Sequence, residues 1–586
     1  MIHHSILLRL STLAFIVTHL FISETALAKR EIREPEAATG FNQKKAVFSD
    51  QYMVVAANPY ASKAGLSMLD KGGSAVDAAI AAQLVLSLVE PQSSGLGGGT
   101  FMLHWHNEKQ KLTTFDGRET APQNATSELF LDKNGKPLRW SDAVVGGKSV
   151  GVPGLLAALN KAHEQFGVLP WKALFQPAIE LAENGFIVSQ RLEKLLGMNF
   201  NPGIHLLPEI KNYFSPNGIT IKAGDTLKNP KLAKALHSIA EDGVEVFYQG
   251  WIAKKIVEKV QKSAISPGLL SLDDMKSYQA IERASVCGPY HQYKICGMAP
   301  PSSGGISVIQ ILAQLQSFEL AQYPPNSLHA IHLLTQSSRL AFADRNKYIA
   351  DSDFVSVPVK GLLAEDYLAK RAALINEKRD MGQAAAGSPH NSLVLANDNA
   401  IERPSTTHLV VVDKQGNAIS MTSSIENGFG SALMVQGFIL NNQLTDFSLA
   451  PKRDGNWVAN RVEPLKRPRS SMAPMMVFNE DNSLRLILGA PGGSRIINYV
   501  AQTIIGVLDW QLNVQQAINL PKVTNRNYVT TLELDTDVVK LKPALEARGH
   551  TVKIRALNSG VHAIEVSKGK LVGGADPRRE GLALGR

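Results

Sequence analysis

Apolar and polar positions alternate along this chain in a few strongly patterned segments. Tyr52-Met53-Val54-Val55-Ala56 is strand-like, and a helical run comes after it as far as Gly72-Gly73. Ser74 then stands where a helix N-cap belongs, with Asp77 three residues on in the manner of a capping box. From there to Val89 the chain is rich in Ala, Leu and Val with hardly a polar position, which predicts a helix buried all round. Trp171–Asn184 reads as a helix interrupted near Pro177. Ser327–Tyr348 reads as a helix with separate apolar and charged faces.

The pattern lapses over Arg379–Ser405, a small and polar stretch without sustained periodicity, which predicts a flexible surface linker. Beyond it the chain is β-rich: Thr406–Val412, a turn at Asp413–Asn417, and a second strand over Ala418–Ser424. Leu484–Leu488 is another strand, running through Gly489–Ser494 into a helix over Arg495–Asp509. At the other end, Arg9, the apolar stretch Leu10–Ile22 and Ala26-Leu27-Ala28 have the form of an export signal. Cleavage after Ala28 would leave the mature chain periplasmic or secreted. An uncleaved anchor is the alternative, although the apolar run is short for a span and no later stretch approaches ~18 uncharged apolar residues.

Composition narrows the class. With 586 residues, 44% apolar and 19% charged, the chain is a globular protein of enzyme size, and disordered, collagen-like and coiled-coil classes are excluded. Lys and Arg number 61 against 52 acidic residues, a net charge of +9. So dilute an excess is no argument for nucleic-acid binding, which needs a clustered basic face. Two cysteines exclude a disulfide scaffold and an all-cysteine zinc site. An oxidising compartment permits a bridge between Cys287 and Cys296 across Gly288-Pro289-Tyr290, with two buried thiols as the alternative.

Several motifs invite chemistry and fail on spacing. Gly95-Leu96-Gly97-Gly98-Gly99 follows a helix and matches neither phosphate-binding glycine pattern, so a tight turn accounts for it. Gly147-Lys148-Ser149-Val150-Gly151 matches the nucleophile elbow of serine hydrolases, which would make Ser149 a nucleophile, but the strand before it is very short. His163-Glu164 lacks the second histidine of a zinc motif. The basic 452–469 stretch is most simply a solvated loop, except that it runs directly into Ser470-Ser471.

A hydroxyl residue at the head of a strand, behind a cleavable linker, is what an N-terminal nucleophile requires. Once the preceding peptide bond is cut, the new α-amine, with a pKa of about 7.7–8.0, serves as base to its own hydroxyl. Gly492-Gly493 at a strand-to-helix turn could offer backbone N–H groups to an oxyanion. Arg118 could hold a carboxylate bidentately.

Taken in order, the motifs resemble those of the γ-glutamyltranspeptidases (glutathione hydrolases) from about residue 45 to the C-terminus. They are Pro91-Gln92 through Gly95–Phe101, FDGRETAP at 115–122, GVPG at 151–154, PPSSGG at 300–305, TTHLVVVDKQGNA at 406–418, NNQLTDF at 441–447, KRPRSSMAP at 466–474 and GAPGGSRII at 489–497. The resemblance implies an α+β fold, the four-layer αββα sandwich of the N-terminal-nucleophile (Ntn) hydrolases. It implies self-cleavage at Ser405–Thr406 into a large subunit, 29–405, and a small one, 406–586. Thr406 matches the nucleophile, Ser424 its supporting hydroxyl, and Gly492 and Gly493 the oxyanion loop. Arg118, Ser470 and Ser471 match the groups that hold the substrate's α-carboxylate, and Gln443 and Asp446 those that hold its α-amine. The implied partners are small γ-glutamyl compounds such as glutathione and amine acceptors, with no metal or organic cofactor.

Two positions depart from the pattern. Glu426 stands where better-known members carry Asn, and an ionised Glu there should attract the substrate's ammonium; the alternative is that it turns outward and Asn427 takes its place. The segment joining Asp446 to Ser470 is short for a lid and contains no tyrosine. These departures leave room for a glutaryl or cephalosporin-type acylase of the same fold.

Overall fold

The computed structural model describes residues 40–198, 200–400, 402–403, 405–567 and 569–586; the export segment expected at 1–28 lies outside them. Two seven-stranded antiparallel sheets form the middle of the molecule. One runs Leu582–Gly585, Met53–Ala56, Thr407–Val412, Ala418–Ser424, Gly99–His106, Lys111–Gly117, Ile281–Arg283. The other runs Val47–Ser49, Lys570–Ala575, His562–Ser567, Leu484–Gly489, Met475–Phe478, Tyr293–Gly297, Val286–Tyr290.

Strand periodicity explains how the layers stack. Val54 and Ala56 face one apolar core with Leu409, Val411, Ile419 and Met421, while Met53 and Val55 face the other with Val410 and Val412. The first core is closed by the helices Pro59–Asp70 and Ala75–Val89. The second joins the two sheets and extends to Gly304–Leu315, Leu328–Tyr348 and Ile496–Leu508 beyond them. Helix, sheet, sheet, helix: the order is that of the αββα sandwich.

Local signals hold where packing agrees with them. Ser74 caps Ala75–Val89 in a capping box with Asp77, and every residue of that helix is buried. The Asp413–Asn417 turn joins its strands with Val412 opposite Ala418 and Thr407 opposite Ser423. Cys287 and Cys296 are opposite each other on adjacent strands and form the disulfide.

Four expectations are corrected. The helix Trp171–Asn184 runs unbroken through Pro177, because Leu174, Phe175, Ala178, Ile179 and Ala182 bury its inner face; the burial of Leu174, Phe175 and Ile179 is worth about 1.5–3 kcal/mol each, enough to offset the ~3 kcal/mol cost of an internal proline. Leu328–Tyr348 has no charged solvent face along its middle; Arg339, Asp344 and Arg345 are buried with their partners Asp380, Arg371 and Glu402. The described residues of 379–405 do lack helix and strand, but they are tied down rather than free at the surface. Asp380 pairs with Arg339, the Asp398 N–H donates to the Asn346 carbonyl, and Glu402 and Ser405 are buried. Finally, the basic stretch is solvated only over its first part, since Lys466, Arg467 and Arg469 are buried.

Candidate active site

The hairpin register does the first piece of positioning. With Thr407 paired to Ser423, the next positions outward are Thr406 and Ser424, which brings the two hydroxyls together at the end of a central strand pair. Thr406 Oγ1 lies 3.5 Å from Ser424 Oγ, and Ser424 Oγ donates to the Ser405 carbonyl oxygen at 3.0 Å. Ser424 also accepts from the Glu426 N–H at 2.8 Å. One donor and two acceptor positions of Ser424 are thereby all used, with the Thr406 hydroxyl as donor to it. Arg579 Nη1 holds the Thr406 carbonyl at 3.3 Å.

Thr406, Ser424, Arg118, Glu426, Gln443, Asp446, Ser470, Ser471 and Gly493 line one cavity; Gly492 precedes Gly493 in the same loop without lining it. Gly492 has φ +133° and Gly493 φ +56°, and an added Cβ on Gly493 would stand 2.8 Å from the Arg403 carbonyl carbon. Glycine is required here both by conformation and by the close approach of the chain. Arg118 follows the strand Lys111–Gly117 and is fixed by the Pro468 and Arg469 carbonyls, at 3.1 and 2.9 Å, just before Ser470. Its Nη2 pairs with Asp446 Oδ2 at 2.6 Å, and Gln443 donates to the same oxygen at 2.8 Å. Asp446 Oδ1 and Gln443 Oε1 are buried without a hydrogen-bond partner.

Glu426 turns inward and is buried, with φ +75°; Asn442 Nδ2 donates to its carboxyl, and the Arg403 N–H donates to Oε1 at 3.3 Å. Asn427 does not line the cavity, which removes the outward-facing alternative. Burial, with Asp446 adding to it, pushes the Glu426 carboxyl well above its usual range. Burial and Asp446 thus disfavour the expected anion, and the protonated form that they favour would donate and accept hydrogen bonds as an Asn does. Burial also raises Asp446, against the opposing pull of Arg118, to about 6.

Three residues that the motifs did not single out complete the site. Glu402 is buried and pairs with Arg345 and with Arg469, the latter at 3.3 Å, and Ser471 donates to its carboxylate. Burial opposes its charge, but Arg345 and Arg469 overcome this and hold it down at about 2. Glu402 sits in a stretch that composition reads as linker, and Arg345 carries no motif at all. Arg469 lies inside KRPRSS and could have been found there. With Glu402 in place the cavity leaves about 20 Å³, room for about one water. Ser149 is elsewhere: it is buried and donates to the Val144 and Gly146 carbonyls at 2.8 and 3.1 Å, and helix Trp140–Val144 stands where an elbow needs a strand.

The family model for γ-glutamyltranspeptidase matches residues 61–585. The chain belongs to the γ-glutamyltranspeptidase family. It is 37% identical over 546 residues to a glutathione hydrolase proenzyme of Bacillus subtilis, covering 91% of each chain. It is 34% identical to the acylase ACY 1 proenzyme of Pseudomonas sp. strain SE83, covering 94% of this chain and 96% of that one. Among solved structures, cephalosporin acylase from Bacillus halodurans superposes with a TM-score of 0.82 at 26% identity, over 93% of this chain and 97% of that one. The fold is thus that of the Ntn hydrolases, and among the described residues no helix is long and apolar enough to cross a membrane.

Proposed function

We propose that this chain is a self-processing γ-glutamyl hydrolase and transferase whose nucleophile is Thr406. The observation that carries the reading is the Ser405–Thr406–Ser424 arrangement. Attack by Thr406 Oγ1 on the Ser405 carbonyl carbon places negative charge on the oxygen that already accepts from Ser424. The C–N bond breaks, the proton passes to the Thr406 nitrogen, and the resulting ester is hydrolysed. The products are a large subunit ending at Ser405 and a small one beginning at Thr406, with a free α-amine as base. The same hydroxyl then attacks the substrate's γ-amide, and water or an amine releases the acyl group.

The Arg118–Asp446 pair supports the choice of substrate, because it is the counterpart of an amino-acid zwitterion. Arg118 with Ser470 and Ser471 suits an α-carboxylate; the unpartnered oxygens of Asp446 and Gln443, beside Glu426, suit an ammonium. A glutaryl group has no ammonium to offer them, which favours γ-glutamyl compounds over acylase substrates. Purified protein should run as two chains, with the smaller beginning Thr-Thr-His, and should turn over γ-glutamyl-4-nitroanilide faster than glutaryl-4-nitroanilide. Thr406→Ala should stay one inactive chain; a fully active uncut protein would overturn the mechanism.

A further inference from the structure

The motif PPSSGG, at 300–305, runs beside the Ser470–Met472 stretch and is hydrogen-bonded to it at several points. The Ser470 N–H donates to the Pro301 carbonyl at 3.0 Å, and Ser302 Oγ donates to the Met472 carbonyl at 2.7 Å. The Ser303 N–H and Ser303 Oγ both donate to the Ser470 carbonyl, each at 2.7 Å. At Gly304 a Cβ would stand 2.6 Å from the Met472 carbonyl oxygen, so only glycine lets the two chains approach this closely.

Arg345, buried in the last turn of the helix Leu328–Tyr348, braces the same stretch. Its Nε donates to Ser303 Oγ at 2.9 Å, and its Nη2 donates to Ser471 Oγ at 2.6 Å and to the Glu402 carboxylate. The hydroxyl protons follow from these bonds. Ser471 Oγ accepts from Arg345 and gives its proton to Glu402. Ser470 Oγ accepts from the Met472 N–H at 3.1 Å and donates to no protein group among the described residues. Arg345 and Ser471 therefore already hold a carboxylate, that of a residue just upstream of Thr406.

We propose that Arg345, with Ser303 as its relay, is the positioning residue of the α-carboxylate subsite. Once a cut at Ser405–Thr406 lets Glu402 leave, Arg345 keeps the lone pair of Ser471 and so presents the Ser471 proton to the substrate's carboxylate. Through Ser303 it holds the backbone that carries the Ser470 hydroxyl to the same place. The proposal deepens the γ-glutamyl reading and rests on it. A guanidinium suits the task because its separate nitrogens reach Ser303 and Ser471 at once, whereas an ammonium is a single point of charge.

The test compares cleaved wild-type protein with Arg345→Gln, Arg345→Lys and Ser303→Ala on two anilides. γ-Glutamyl-4-nitroanilide carries the α-carboxylate; 4-aminobutanoyl-4-nitroanilide keeps the ammonium and the scissile amide and lacks only that carboxylate. Arg345→Gln should raise KM for the γ-glutamyl anilide roughly 10–100-fold, as expected for losing an oriented hydrogen bond to a charged group. Its kcat should stay within about threefold, because the carboxylate is remote from the reacting amide. Arg345→Lys should be nearly as poor, and Ser303→Ala, which removes only the relay, should raise KM about 3–10-fold. For the aminobutanoyl anilide, kcat/KM from progress curves at raised enzyme concentration should change by less than about threefold in every variant. Equal losses on both anilides would mean a general structural role, and a wild-type KM in Arg345→Lys would mean that charge suffices without orientation; either overturns the proposal. If neither Arg345 variant cleaves into two chains, Ser303→Ala decides alone, and an unchanged KM there overturns it. Failure of the wild-type protein to turn over the γ-glutamyl anilide would instead overturn the reading on which the proposal rests.

Discussion

Glu426 shows how far a single residue's environment changes its chemistry. Sequence alone treats it as an anion drawn to an ammonium; burial and the neighbouring Asp446 push its carboxyl well above the usual range and favour the protonated form. Glu426→Gln keeps both hydrogen-bonding roles and should change KM for γ-glutamyl-4-nitroanilide by less than about threefold at pH 6. Glu426→Ala removes them and should raise KM about 10–150-fold, the worth of a hydrogen bond to a charged group. The glutaryl analogue, which lacks the amine, should be little affected by either change. A Gln variant as poor as the Ala one would mean that charge, not hydrogen bonding, reads the substrate. Asp446 supplies a pH signature. With a raised pKa of about 6, it is charged above that value and loses its charge as pH falls through it. KM for the γ-glutamyl substrate should therefore rise below about pH 6, while KM for the glutaryl one should not.

At the scale of elements, the hairpin was legible and the segment before it was not. A turn between two β-rich runs implies a register, and that register puts Ser424 opposite Thr406. Residues 379–405 look like linker because small polar residues lack periodicity, yet long-range contacts with Arg339, Asn346, Arg345 and Arg469 hold them. This alters the expected consequence of changing the oxyanion loop. Gly493 meets the Glu402 carbonyl oxygen within 2.9 Å of any added Cβ, besides requiring a positive φ. Gly493→Val should slow self-cleavage as well as lower the turnover of cleaved protein by roughly 10²–10³-fold. Gel analysis over time separates the two effects, and normal cleavage with normal turnover would remove this loop from the site.

At the scale of the whole molecule, the proposed cut at Ser405–Thr406 would couple processing to binding. In the uncut chain Arg118 pairs with Asp446, Ser471 with Glu402, and about 20 Å³ remains. Thr406→Ala, which stays uncut, should therefore bind glutamate at least about 100-fold more weakly than the cleaved enzyme by calorimetry. Equal affinity would mean that the segment ending at Ser405 does not block the site. Sequence by itself determined the strands, the capped buried helix, the hairpin and the ordered motifs, because each depends on residues near one another in the chain. The partners of Glu402 and the burial that favours the protonated form of Glu426 were decided only by the tertiary structure. Charge state and charge clustering depend on burial and on neighbours far apart in sequence, and a single sequence encodes those neighbours without displaying them.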